Sequence, residues 1–284
     1  MNGATETSDS IAVSAAALDE LEARAWLDMY KAAPAEFSAK VGLAYIETPA
    51  GAGFAMKGIG ASLFNRFVLP RGKESITPDT LCMAMSWLGD NCHPTCAIDT
   101  RAGEPDHLEA TLREAGFHKR GGGMAQFWRT DAAPVPTVNG DLEIRQVGGE
   151  AASQFGRVIE AGYGLPLSFS SWLSRLAGRE NWLTYLAYDE GTAVAGAEMY
   201  VIGSAAWLGV AATMPRYRGN GAQGGLIARR LADGTALGAR TFAVQTGAPA
   251  AGEIAGPSYR NIERSGFALS HVRQSYEANA PVVK

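Results

Sequence analysis

The chain has 284 residues, enough for one large or two medium domains, and 46% of them are hydrophobic, which supplies a substantial core. A formal net charge of −4 at pH 7 argues against a nucleic-acid partner, since phosphate-rich ligands call for a basic surface. No apolar stretch approaches the roughly 18 residues of a membrane span. Residues 1–14 lack the basic start and long apolar core of a secretory signal, and an odd count of three cysteines suits a reducing compartment, so the expected location is the cytoplasm.

In chain order, Ala15–Tyr30 carries an amphipathic helical pattern, Val41–Thr48 and Gly53–Lys57 read as strands, and Leu63–Leu69 reads as a strand running into Pro70-Arg71-Gly72-Lys73-Glu74. Pro78–Trp87 and Pro105–Ala115 are predicted helices around a short strand at Ala97–Thr100, and Met124–Arg129 is strand-like. Cys92-His93-Pro94-Thr95-Cys96 holds three groups able to ligate a metal, yet no second ligand pair lies nearby, and two small apolar residues at a loop and strand start account for it more simply. His107, His118 and His271 are scattered, and no metal is expected.

Ala132-Ala133-Pro134-Val135-Pro136-Thr137-Val138-Asn139-Gly140 has linker composition. Beyond it, Tyr163, Phe169, Trp172 and Trp182 lie in a predicted helical region, where they either line a pocket or fill the core. Tyr185, Tyr188, Glu198 and Tyr200 fall on the next two predicted strands. Glu198 is the one carboxylate in the otherwise apolar strand Ala193–Ile202, facing either solvent or the interior. Inward, its pKa would rise toward a value useful to a base.

The apolar run Ala205–Ala211 then passes through Met214-Pro215-Arg216-Tyr217-Arg218-Gly219-Asn220-Gly221-Ala222-Gln223-Gly224-Gly225-Leu226-Ile227 into a helical pattern. At such a junction the first helical N–H groups lack partners, the macrodipole is positive, and glycine removes the Cβ that would block an anion. Arg216 and Arg218 add positive charge. A nucleotide-triphosphate loop would need a following Lys-Ser or Lys-Thr, and a dinucleotide site an acidic residue about 20 positions on; neither is present.

A strand at Thr241–Thr246 follows, then a helix closing on Gly266-Phe267 and a strand-like run at Ala268–Tyr276. Leu112-Arg113-Glu114-Ala115-Gly116-Phe117 echoes Ile262-Glu263-Arg264-Ser265-Gly266-Phe267, and each is followed by a strand pattern, so the chain reads as two similar halves.

Pro215-x-Tyr217-Arg218-Gly219-x-Gly221-x-x-x-x-Leu226-Ile227, the strand after it and Ser258–Phe267 closely resemble the GNAT superfamily of acyl-coenzyme A-dependent acyltransferases, over residues 141–277. The resemblance implies a mixed α/β (α+β) fold of two tandem GNAT-like domains, each a mostly antiparallel twisted sheet flanked by helices. A degenerate domain would occupy 1–132, a linker 133–140, and the coenzyme-binding domain 141–284. The family's Arg/Gln-x-x-Gly-x-Gly/Ala signature fits in two frames. Arg216-x-x-Gly219-x-Gly221 matches the letters, and Arg218-x-x-Gly221-x-Gln223, the frame favoured here, matches the distances to Pro215 and Leu226.

Acetyl-coenzyme A is the implied cosubstrate, with no metal, held by Ala211, Ala212, Thr213, Arg218, Gly219, Asn220, Gly221, Ala222, Gln223, Gly224 and Ser258. The implied activity is N-acetyltransfer to a small-molecule amine by a monomer or homodimer with no nucleic-acid or membrane partner; the alternative is a noncatalytic acyl-coenzyme A sensor. Glu198 is the candidate base. Many relatives place a tyrosine four residues before the glycine of Gly266-Phe267, where Ile262 stands here, so the candidate acid at the thiol is Tyr259, which otherwise merely packs. Ser258 is expected to cap its helix, and Gly209 and Ala211 leave room for a larger acyl group. The Pro70–Glu74 turn, with one glycine and an acidic residue, makes a poor phosphate cradle, so one coenzyme per chain is expected.

Overall fold

The computed structural model describes residues 13–70, 75–101, 106–137, 141–166 and 168–279; the expected Arg71–Glu74 turn and the end of the linker lie outside them. The first half runs α1 (Ala15–Lys31), α2 (Ala35–Val41), β1 (Leu43–Glu47), β2 (Ala52–Met56), β3 (Arg66–Val68), α3 (Pro78–Asn91), β4 (Thr95–Arg101), α4 (Asp106–Glu114), β5 (His118–Lys119) and β6 (Met124–Thr130). The second runs β7 (Glu143–Val147), α5 (Ala152–Tyr163), α6 (Phe169–Leu173), β8 (Trp182–Asp189), β9 (Thr192–Ile202), β10 (Ala205–Thr213), α7 (Ala222–Ala236), β11 (Thr241–Gly247), α8 (Pro257–Arg264) and β12 (Ala268–Asn279).

Three sequence expectations shift. Val41 ends a helix rather than starting a strand, because Gly42 closes α2 in the left-handed conformation. The Leu63–Leu69 strand shortens to β3 behind a tight helical turn at Ser62–Phe64. Trp182 opens β8 instead of belonging to the helical region before it.

Among the described residues the strands form one sheet in the order β1-β2-β3-β4-β12-β6-β11-β10-β9-β8-β7, with β5 pairing the far part of β12. The halves repeat one plan. In each, antiparallel strands, two in the first half and three in the second, lead to one that lies parallel to the strand after its crossover helix: β3 with β4 around α3, and β10 with β11 around α7. The repeat then crosses over. β6, the last strand of the first half, pairs β11 from Thr241↔Thr130 to Gly247↔Met124. β12, the last strand of the second half, pairs β4 from Arg273↔Arg101 to Asn279↔Thr95.

Each closing strand therefore completes the other half's sheet, and β6 and β12 pair with one another at the centre. α1 and α5 share one core that spans both halves, through Trp26, Tyr30, Phe37, Phe155, Phe169, Trp172, Trp182 and Trp207. α7 and α8 cover the other face in the second half, and α3 and α4 pack on the first. α1 is also pinned by polar contacts. Trp172 Nε1–H donates to the Met29 carbonyl at 2.7 Å, and Asp28 accepts from Arg179 at 2.8 Å and from Trp182 Nε1–H at 2.7 Å.

Beside the exchanged strands lies a buried ionic network. Asp19 of α1 meets Arg101, His271 at 3.0 Å and Arg273 at 2.9 Å; Glu22 meets Arg66 at 3.3 Å and Gln126 at 2.9 Å; Arg66 also binds Asp99 at 2.9 Å. Opposite charges taken out of water need this mutual compensation. The ligands come from α1, β3, β4, β6 and β12, so the network joins both halves.

Candidate functional site

β10 and β11 pair in parallel only from Ala205↔Thr241 to Trp207↔Ala243. Beyond that pair β11 stays on β6 as far as Gly247, while β10 stays on β9 through a register shift between Gly209 and Ala212, with Val210 at φ +48°. A bulge of this kind bends its strand away from its neighbour. The two strands thus part into a V whose apex is the Trp207–Ala243 pair.

The glycine-rich turn stands at the open end of β10. After a short helical turn at Pro215–Tyr217, Gly219 takes φ +89° and Gly221 takes φ +79°, values that side chains with a Cβ rarely adopt, and Gly221 occupies the N-cap of α7. It offers no capping side chain, so the first amides of the helix, at Ala222, Gln223 and Gly224, are left for a ligand. The equivalent helix of the first half is closed. Thr77 caps α3, its hydroxyl accepting from Thr80 N–H at 3.2 Å while Thr80 Oγ1 accepts from Thr77 N–H at 2.8 Å.

Arg218 turns back from the cradle, with its guanidinium donating to the Gly162 carbonyl at 2.8 Å and to Thr213 at 3.3 Å. It fastens the turn to the end of α5. Gln223 reaches across to α8, donating to Ser258 Oγ at 2.9 Å and accepting from Asn261 at 2.6 Å. Ser258 does not cap its helix: α8 starts at Pro257 with Gly256 at the N-cap, and the Ser258 hydroxyl is spent on Gln223.

The candidate base sits deeper than expected. Glu198 is wholly buried on β9, opposite Thr184 and Gly209, and accepts from the Thr184 hydroxyl at 3.0 Å. Burial pushes its carboxyl well above the usual range, against the lowering effect of Thr184 and Arg230. Its neighbours on the same face, Tyr200 on its own strand and Thr184 and Gly209 across from it, are buried as well. Burial thus disfavours its charged form, and the carboxyl lies deeper than the partly buried position expected for a base.

Arg230 is buried beneath the same strand, donating to the Glu198 carbonyl at 2.9 Å and to Leu226 at 3.0 Å, and burial lowers its guanidinium to about 10. Tyr259 projects from α8 with its ring against Phe127 of β6.

Of the four aromatic residues after the linker, Phe169, Trp172 and Trp182 belong to the core, not to a pocket wall. Tyr163 differs. It ends α5 about half exposed, beside the Ala211 backbone of the bulge. Sequence reading grouped it with the other aromatics; its place at a helix end, just before Gly164, was the available signal. A shallow recess bordered by Ala32, Gly149, Ala152, Ser174 and Glu180 lies at the opposite end of α5 and is separate from the V.

The Cys92–Cys96 segment is occupied structurally. Both cysteines are buried, burial pushes the Cys96 thiol up to about 11, and His93 Nδ1 accepts from Thr95 N–H at 2.9 Å. Among the described residues no group of three or more His, Cys, Asp and Glu is placed to hold a metal ion, and no helix is long and apolar enough to cross a membrane.

A GCN5-related N-acetyltransferase from Kribbella flavida is similar over 94% of this chain and 96% of its own, with TM-score 0.60 and 15% identity. A tandem GNAT protein from the clavulanic acid biosynthesis pathway is similar over 92% of this chain and 93% of its own, with TM-score 0.50 and 14% identity. This chain has the tandem GNAT fold. A GCN5-related N-acetyltransferase from Sphaerobacter thermophilus shares the fold over 83% of this chain and 82% of its own, with TM-score 0.55 and 15% identity. No protein-family model and no curated protein sequence matches. Within the tandem GNAT fold, the split strands and the open helix end occur together only in the second half of this chain among the described residues.

Proposed function

We propose that the chain is an acyl-coenzyme A-dependent N-acyltransferase acting on the amine of a small molecule, with acetyl-coenzyme A as donor. The carrying observation is the uncapped N-terminus of α7 at the mouth of the β10–β11 split. The amides of Gly219–Gly224 would receive the pyrophosphate, where the helix end favours negative charge. The thioester would lie between the parted strands, beside Ala211, Ala212 and Thr213.

In the transfer the amine nitrogen attacks the thioester carbon, the carbon–sulfur bond breaks, and the nitrogen loses a proton. Holding the two reactants together supplies much of such a rate enhancement. Tyr259, on the β11 side, is assigned to protonate the leaving thiolate. Glu198, wholly buried and bonded to Thr184, is assigned a structural part, so the amine proton leaves through water or the Tyr163 hydroxyl. The first half, whose helix end is capped, braces the second without binding coenzyme.

The test is thiol release from acetyl-coenzyme A over a panel of amines, beside calorimetric titration with coenzyme A. Binding with turnover of at least one amine supports the reading. Binding without turnover favours an acyl-coenzyme A sensor, a second reading motivated by the complete burial of Glu198. No binding overturns both.

A further inference from the structure

We propose that Trp207 limits the acyl group accepted by the cleft to short chains. The inference rests on the acyl-coenzyme A reading above. A coenzyme anchored at the start of α7 would direct its acyl end toward the apex of the V, and the residue at that apex is Trp207, the last on β10 to pair with β11.

Alternation puts Trp207 and Gly209 on the same face of β10. The six-membered ring of the indole lies directly across Gly209: a Cβ built at that glycine would come within 1.9 Å of Cη2 and Cζ3 and 2.6 Å of Cε3. Gly209 thus makes room for the indole, and the larger acyl group that small residues here were expected to admit finds that room filled.

The ring is also held in place. Trp207 is 2% exposed and meets Trp182 edge to face, with centroids 6.4 Å apart and planes at 90°. Its Nε1–H has no acceptor among the described residues, a desolvation cost that phenylalanine or leucine would avoid. A rigid, close-packed wall excludes extra methylenes because neighbouring atoms cannot yield without strain.

The experiment titrates coenzyme A and its acetyl, butyryl and hexanoyl thioesters calorimetrically into the parent, Trp207→Ala and Trp207→Leu. Circular dichroism checks folding, and Trp207→Leu serves where Trp207→Ala fails to fold. In the parent, affinity is expected to fall at least about tenfold from acetyl to hexanoyl, the scale on which a closed apolar pocket discriminates methylenes. In the variants the loss should shrink to within about threefold, with coenzyme A itself bound as before, since the apex is remote from the phosphate cradle. A flat chain-length profile in the parent, or an unchanged profile in folded variants that still bind coenzyme A, would overturn the proposal. A parent that binds no coenzyme A overturns the acyl-coenzyme A reading itself, and this inference with it.

Discussion

Tyr259 of α8 meets Phe127 of β6 edge to face, with ring centroids 4.8 Å apart and planes at 81°. A side chain from the first half of the chain thus fixes the orientation of the residue assigned to protonate the thiolate in the second. Tyr259→Phe keeps this contact and removes only the hydroxyl. Turnover is expected to fall about 10²-fold, the lower range for losing general-acid help, with coenzyme A affinity unchanged. Steady-state kinetics beside a titration checks it, and parent-like turnover would mean that the ring only packs.

Gly221→Val places a Cβ where the backbone has φ +79° and the anion would approach, so coenzyme A binding is expected to be lost. Thr77→Ala at the capped α3 of the other half should leave binding untouched while lowering stability by about 1 kcal/mol. Titration and thermal melts of both variants compare the two helix ends. The parent stoichiometry is expected to be one coenzyme per chain, and a second equivalent site would contradict the closed reading of α3.

Glu198 sets a pH dependence of stability. Its folded pKa lies above the value of 4.5 expected for the free group, so between the two the native state binds more protons than the unfolded chain, and stability falls as pH rises. Glu198→Gln removes that penalty and keeps an acceptor for Thr184. The melting temperature of the variant should gain on the parent as pH is raised from 4.5 toward neutrality, with turnover little changed. Parallel melting curves at all pH values would show that the carboxyl ionises normally, and a large loss of turnover would restore it as a base.

Asp19 works in the opposite sense. Burial alone would raise its carboxyl, but Arg273, His271 and Arg101 outweigh that and hold it at about 2, below the usual 3.8. Its stabilising contribution is full above the unfolded value and is lost as pH falls through the folded one. Asp19→Asn should cost about 3–5 kcal/mol at neutral pH by leaving buried arginines uncompensated. Denaturant unfolding should also show the variant losing less stability than the parent on acidification from pH 4 toward pH 2; equal losses would place the acid sensitivity elsewhere.

The sequence carried the repeat and the glycine-rich turn because both are local: Gly116-Phe117 echoes Gly266-Phe267, and Gly219 and Gly221 mark a strand-to-helix turn. Other features depend on partners distant in the chain. The alternation of Ala268–Tyr276 identifies a strand but fits a slot in either half, so its pairing with β4 could not be read from it. Likewise, the burial of Glu198 depends on both neighbouring strands and on α7. The small size of Gly209 suggested free space, whereas the structure fills that space with a side chain two residues away.

The exchange of β6 and β12 bears on any attempt to shorten the protein. A fragment beginning after the linker would keep every residue of the glycine-rich turn but lose β6, the strand that supports β11, and its own last strand would lose both of its main partners, β4 and β6. Such open edges invite aggregation. The chain is built as a domain-swapped pair whose members happen to share one polypeptide. Cut in the linker and produced together, the two pieces should reassemble and regain coenzyme binding, whereas the piece that carries the signature, made alone, should not.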